Sequence, residues 1–184
     1  NNDRAVFATA RFTLKDTDEI DPLADHIAPV MRLLVDRSYW HESQYGLFAL
    51  QVPRTTYRAN LLTREVGASD LCIHLMEQTL TAVHTVAASE NYISGTNGVR
   101  DILTALGFRH AIPPTSLTLP ADRQFAAGTP YLTVVNDLLH ACNMFSLWAE
   151  RDGTLVSRVR QPLASRTPDA RYTGHDFVLS PVTE

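Results

Sequence analysis

Val6, Ala8, Ala10, Phe12 and Leu14 alternate with mostly polar neighbours, the period-2 pattern of a half-buried strand. The acidic stretch Asp16-Thr17-Asp18-Glu19-Ile20-Asp21-Pro22 then reads as a loop. Residues 27–35 are largely apolar, and Pro29 puts any strand there at an edge or starts it after the proline. Residues 38–44 read as a polar turn with Tyr39 and Trp40 on its rim, and residues 46–52 as a compact buried strand closed by Pro53. A third stretch over 61–67 pairs with it across a loop around Tyr57-Arg58-Ala59-Asn60. Successive strands on connections this short favour an antiparallel, barrel-like sheet.

Ser69 fits an N-cap for a short helix over 70–78, with Leu71 and Leu75 on one face and an acidic residue in the first turn. Residues 81–87 return to a strand pattern. From residue 94 the period changes. Val99, Ile102, Leu103 and Leu106 form an i, i+3, i+4, i+7 stripe, opened by Thr96 as N-cap and ended by Gly107. Leu132, Val135, Leu138, Leu139 and Cys142 make a second stripe, which Thr129 caps while Pro130 takes the first helical position, where its missing N–H costs nothing. The two echo each other, with Val-Arg-Asp-Ile-Leu-Thr-Ala in one and Val-Asn-Asp-Leu-Leu-His-Ala in the other. Two copies are too few for a solenoid, so the echo predicts two similar helices on a small sheet. Asp152-Gly153 between the β-rich runs 145–150 and 154–159 is the strongest short hairpin signal in the chain. Residues 161–171 read as a linker rich in Pro, Ser and Arg, and 172–179 as the start of another strand.

The predicted class is therefore α+β. An antiparallel β-barrel-like domain occupies 1–88. A small α/β domain of two capped helices on a short sheet, with its hairpin, occupies 89–160. Residues 161–184 are a linker and a strand returning to the barrel.

Composition adds bounds. The 184 residues are 45% hydrophobic with a net charge of −4, enough for a core that buries roughly 70% of the unfolded surface without a metal or disulfide. The mild negative balance argues against a dedicated nucleic-acid binder and a polybasic membrane anchor. Cys72 and Cys142 cannot make a disulfide framework and point to a reduced interior. No apolar run approaches the ~20 residues of a membrane span. Asn1-Asn2-Asp3-Arg4 lacks Met and a signal core, and Pro181-Val182-Thr183-Glu184 closes nothing, so both ends read as cuts in a longer polypeptide.

No motif demands an active site. Cys72-x-His74 and His140-x-Cys142 supply a zinc ligand set, but i and i+2 on a helix point about 200° apart and cannot chelate from one face. The acidic stretch 16–21 lacks the glycine and distal glutamate of a calcium loop. No Gly-x-Ser-x-Gly elbow is present, and Cys142 sits on an apolar stripe. Gly95-Thr96-Asn97-Gly98 opens a helix without the Gly-Lys-Ser/Thr of a phosphate loop. Glu42, Glu65, Glu77 and Glu90 show no pairing for glycoside hydrolysis. Trp40 is a candidate contact residue, Trp148 a core residue heading a hairpin strand, and Arg158, Arg160, Arg166 and Arg171 a modest basic stretch.

The order of these pieces resembles minor tail proteins of actinobacterial tailed phages. Tyr45-Gly46-Leu47-Phe48-Ala49-Leu50, with Pro53 and an Arg-bearing turn after it, is similar to their "LGVFLL..P.R" strand. Ser69-Asp70-Leu71 with Leu75 is similar to "YD.L..L", and Gly95-Thr96 through Gly107 to "GT…V..IL...G". The block from Leu119-Pro120 through Gly128-Thr129, Asn136-Asp137-Leu138-Leu139, Ser146-Leu147-Trp148 and Asp152-Gly153 follows "L…W.PGT..L.IINDLL.A.NY.SLW.D..G". Ala127 stands where that pattern has Pro, and Met144-Phe145 where it has Tyr-x. The similarity runs over about residues 5 to 160.

That family resembles the baseplate hub, or tail-tip, proteins of long-tailed phages. The resemblance implies β-barrel domains around the tail axis, a ring (threefold in many hubs) closing the distal end of the tail tube, and support for genome ejection from the virion. It implies as partners further copies of the chain, expected as a trimer, with the distal tail protein, tape measure and tail fibres. DNA is met only in passage, along a mildly acidic lumen face. No cofactor, metal or catalytic residue is expected. The assembly and packing candidates are Trp40, Phe48, Tyr57, Arg58, Thr96, Thr129, Asn136, Asp137 and Trp148. The alternative is a receptor- or carbohydrate-binding module using Trp40, Tyr39 and Tyr57 as a platform. A cell-wall hydrolase would need converging His or Glu side chains, which the spacing does not offer.

Overall fold

Period-2 alternation builds the first half of the chain. β1 (Thr9–Lys15), β2 (His26–Ile27), β3 (Val30–Asp36), β4 (Tyr39–Gln44), β5 (Phe48–Leu50), β6 (Arg54–Arg58) and β7 (Leu61–Asp70) follow one another in the computed structural model. It describes residues 8–15, 21, 25–36, 39–52, 54–58, 61–118 and 120–161. The acidic stretch 16–20 and the expected linker and strand over 162–184 lie outside these.

β7 organises the main sheet. β1 runs antiparallel along one edge, with Thr9 opposite Ser69 and Lys15 opposite Thr63. β6 and β5 share the other edge, Arg58 facing Leu61 and Phe48 facing Asp70. Leu50 faces Ala68, Gln51 N–H still donates to the Gly67 carbonyl at 2.8 Å, and β6 takes up the pairing at Arg54 opposite Glu65. β2 closes the sheet beside β5. Phe48, Leu50, Val66 and Ala68 are buried on one face with Ala10, Phe12 and Ile27 against them. The antiparallel β-rich reading holds. The residues expected in a loop do not behave so: Tyr57 and Arg58 belong to β6, paired to Leu62 and Leu61.

β7 runs through Ser69 and Asp70 into α1 (Cys72–Glu77). The expected cap at Ser69 is therefore corrected. The helix starts after Leu71, and its first-turn N–H is met by a side chain from the strand: Asp70 Oδ1 accepts from Cys72 N–H at 3.0 Å. β8 (His84–Val86), α2 (Val99–Ala105), β9 (His110–Ala111), β10 (Arg123–Phe125), α3 (Tyr131–Ala141), β11 (Trp148–Ala149) and β12 (Leu155–Val156) complete the chain. β8 pairs with β10, and β11-β12-β9 form a small mixed sheet.

The repeated heptapeptides place Val99, Ile102 and Leu103 on α2, and Val135, Leu138 and Leu139 on α3, all buried in one core. Each fully buried leucine stabilises by about 1.5–3 kcal/mol. The echo extends to the helix ends. Gly107 (φ +79°) passes its N–H to the Thr104 carbonyl while Phe108 N–H returns to Leu103. Asn143 (φ +55°) bonds to His140 while Met144 N–H returns to Leu139. Both are Schellman closures with an apolar residue tucked behind the turn.

The N-termini differ from expectation. Gly98, not Thr96, is the N-cap of α2, and Pro130, not Thr129, that of α3; neither has a side-chain cap. Carboxylates serve the first loop instead: Glu90 Oε2 accepts Thr96 N–H and Asp101 Oδ2 accepts Asn97 N–H. The Thr129 hydroxyl donates backwards to the Ala126 carbonyl.

Candidate assembly surface

β3 and β4 form an antiparallel hairpin that pairs with no other strand among the described residues. Residues 39–44, expected as a polar turn, are one of its two strands. Their polar side chains suit a strand that lies over no core of its own. Val30 faces Gln44, Arg32 faces Glu42 and Leu34 faces Trp40, then a bulge lets Asp36 meet Tyr39. Arg32 Nε and Glu42 Oε1 form an exposed ion pair at 2.7 Å.

This arm breaks the usual alternation. Pleating puts Val30 and Leu34 on one face and Met31 and Leu33 on the other. Val30, Leu33, Leu34 and Trp40 are each about half exposed, Trp40 at 57%. A free two-stranded hairpin is marginal in water, and apolar side chains on both its faces call for a cover on both. Tyr45 closes the root, its N–H on the Pro29 carbonyl at 2.9 Å and its hydroxyl on Met31 Sδ at 3.0 Å. An open cleft of about 530 Å³ lies beside that root, between residues 45–48 and 148–152.

The remaining chemistry is internal. Asp70 is buried; its carboxylate accepts the N–H groups of Ala8 and Cys72 at 3.0 Å each, and desolvation raises its pKa above the ordinary carboxylate value. Burial likewise raises the Cys72 thiol, with the Asp70 charge adding to it, and the Cys142 thiol is pushed up to about 11 by burial. His74 stacks edge-on against His26, and His140 bonds the Ser146 hydroxyl at 2.9 Å. Among the described residues, no three His, Cys, Asp or Glu side chains are grouped to hold a metal ion.

No family model matches the chain, and no curated protein matches it. Among solved structures it is similar to the 43 kDa tail protein of prophage MuSo2 from Shewanella oneidensis, at TM-score 0.53 and 12% identity. The fold is shared with a phage tail protein. The match covers 82% of this chain and 43% of the tail protein, so the chain spans less than half that protein's length.

In this fold the predicted residues separate by their surroundings. Trp40 stands exposed on the arm. Phe48 is buried in the sheet core, edge-on to Phe12. The side chains of Tyr57 and Arg58 lie outside the described residues. Asn136 and Asp137 tie α3 to its neighbours: Asn136 Oδ1 accepts Leu147 N–H at 2.8 Å, and Asp137 Oδ2 accepts from Arg123 at 2.8 and 2.6 Å. Trp148, expected in the core, is half-buried with the Arg158 guanidinium over its ring at 5.7 Å. Sequence reasoning missed Leu33, Leu34 and Tyr45 as surface residues; a largely apolar strand beside the polar run His41-Glu42-Ser43-Gln44 was the available signal.

Proposed function

We propose that the chain is a noncatalytic structural component of a phage tail tip or baseplate hub, forming part of a ring that closes the distal tail tube and supports genome ejection. The single observation that carries this reading is the two-faced apolar arm on a fold shared with a tail protein. A surface that needs cover on both sides suits a site between neighbouring subunits better than a ligand pocket. Further copies of the chain, expected as a trimer, and the distal tail protein, tape measure and tail fibres are the partners that fit it. DNA passes without being bound. Among the described residues, no helix is long and apolar enough to cross a membrane. Trp40 lies opposite Leu34, an apolar side chain about as exposed as its own, which favours a protein contact over a sugar platform.

Mass photometry and electron microscopy of the purified chain test the proposal. Closed rings are expected, and a double Leu34→Ser, Trp40→Ser variant should fold normally yet lose them. Each apolar anchor removed costs about 1.5–3 kcal/mol of contact, or roughly 10- to 100-fold in affinity. A chain that stays monomeric at high concentration overturns it.

A further inference from the structure

Among the described residues, two hydrogen bonds join the arm to the helical body, and both fall on Arg151. Its backbone carbonyl accepts the Gln44 side-chain amide at 2.9 Å, and its Nη1 donates to the Ser43 hydroxyl at 3.1 Å. The turn that carries Arg151 is itself stiff. Glu150 accepts the Gly153 N–H at 2.9 Å, and Gly153 (φ +82°) holds the left-handed position that ends such a turn. Asp152 accepts the N–H and hydroxyl of Thr154 at 2.9 and 2.8 Å, and Arg109 reaches it at 3.5 Å. Arg151 is thus anchored on the body side and reaches outward to the arm.

The arm side is built differently. The Tyr45–Pro29 hydrogen bond closes the hairpin at its root, and Gly46 joins that root to the sheet. Beside the root is the open cleft, walled by Leu47 and Trp148. The two bonds to Arg151 compete with water, so each contributes little net stability. The structure therefore combines a laddered hairpin, a root beyond its last ladder bond, a weak external tie and an open cleft beside that root.

We propose that Arg151 is a latch that sets the direction of the β3–β4 arm, and that on release the arm swings about Pro29 and Tyr45-Gly46 toward the cleft. Leu47 and Trp148 on the cleft's walls receive apolar side chains that the latched arm leaves in water. Latched and released positions are then two populations of one element, which any partner binding the arm selects between. The latch concerns the isolated chain, so it stands or falls separately from the tail role.

Pulsed electron-electron resonance on the 184-residue chain tests it, with nitroxides at Leu33→Cys on the arm and Thr133→Cys on α3. Cys72 and Cys142 are buried and stay unlabelled. One narrow distance distribution is expected in the parent. A second, separate peak is expected when Arg151→Ala and Gln44→Ala are combined, with the thermal transition unchanged because neither residue belongs to a core. Gln44→Ala combined with Ser43→Ala, which removes both bonds from the arm side, decides the matter if the first pair fails to fold. An unchanged distribution in the variants, or a parent already as broad as they are, overturns the latch.

Discussion

The Asn136 side chain, on α3, accepts the backbone N–H of Leu147 at 2.8 Å, fastening the helix to the hairpin that follows it. Leu147 is buried, so its N–H has no water to turn to. Asn136→Ala leaves that donor unmet at a cost of about 1–3 kcal/mol. Urea unfolding should show the midpoint falling with the slope unchanged; an unaltered midpoint would mean the bond contributes nothing.

Gly107 and Asn143 occupy equivalent left-handed positions, and their substitutions should move stability in opposite directions. An added methyl at Gly107 meets nothing within 4 Å, so Gly107→Ala is penalised by backbone conformation alone, about 1 kcal/mol. Asn143→Gly should be neutral or stabilise by a few tenths of a kcal/mol, whereas Asn143→Val should cost about 1–2 kcal/mol. Thermal melts resolve these, since 1 kcal/mol shifts the midpoint by roughly 2–4 °C at this chain length. Equal effects from Gly and Val at position 143 would refute the left-handed assignment.

Asp70 gives stability a pH dependence of definite sign. Desolvation raises its folded pKa, against the opposing pull of the Ala8 and Cys72 N–H groups. Its contribution is therefore complete below the unfolded value of about 3.9 and is lost as pH rises through the folded value. Relative to Asp70→Asn, the parent should be more stable at pH 4 than at pH 7 by chemical denaturation. Asp152 behaves in the reverse sense. The N–H and hydroxyl of Thr154, with Arg109 nearby, lower its pKa, so its effect is present at neutral pH and fades on acidification. A parent that gains on Asp70→Asn as pH rises sinks the Asp70 argument.

Both thiols should be silent in the native state. They are buried and their pKa values are raised, which removes the reactive thiolate at neutral pH. Titration with a thiol-reactive chromophore at pH 8 should count none in the folded chain and both after denaturation. Rapid reaction of either without unfolding would contradict their burial.

Much of the architecture was legible because local pattern and packing agree. Val99, Ile102 and Leu103 lie on the buried face that their spacing requires, and Asp152-Gly153 turns the hairpin as its chemistry demands. The helix starts were misplaced for a physical reason. Hydroxyl caps are the familiar signal, but Glu90 and Asp101 meet the loop donors from six and four residues away, and Asp70 takes the Cys72 N–H from the end of a strand by the i to i+2 bond of an Asx turn. Asn143 escaped notice because asparagine fills the left-handed site less often than glycine. The arm was the largest omission. A strand that lies over no core needs no alternation, so Glu42, Ser43 and Gln44 resembled a turn. The surface with the strongest claim to function was thus the part that periodicity describes least well.

The pairing of β1 with β7 bears on how the protein is made. A ribosome releases Thr9 long before its neighbour Ser69, so the first strand waits unpartnered while the intervening hairpins emerge. The helical core draws its residues from a continuous stretch between Leu71 and Leu155 and pays less to bring them together. In a refolding experiment, far-ultraviolet helical signal should recover ahead of the docking of Phe12 on Phe48, leaving the amino-terminal sheet as the last piece to seal.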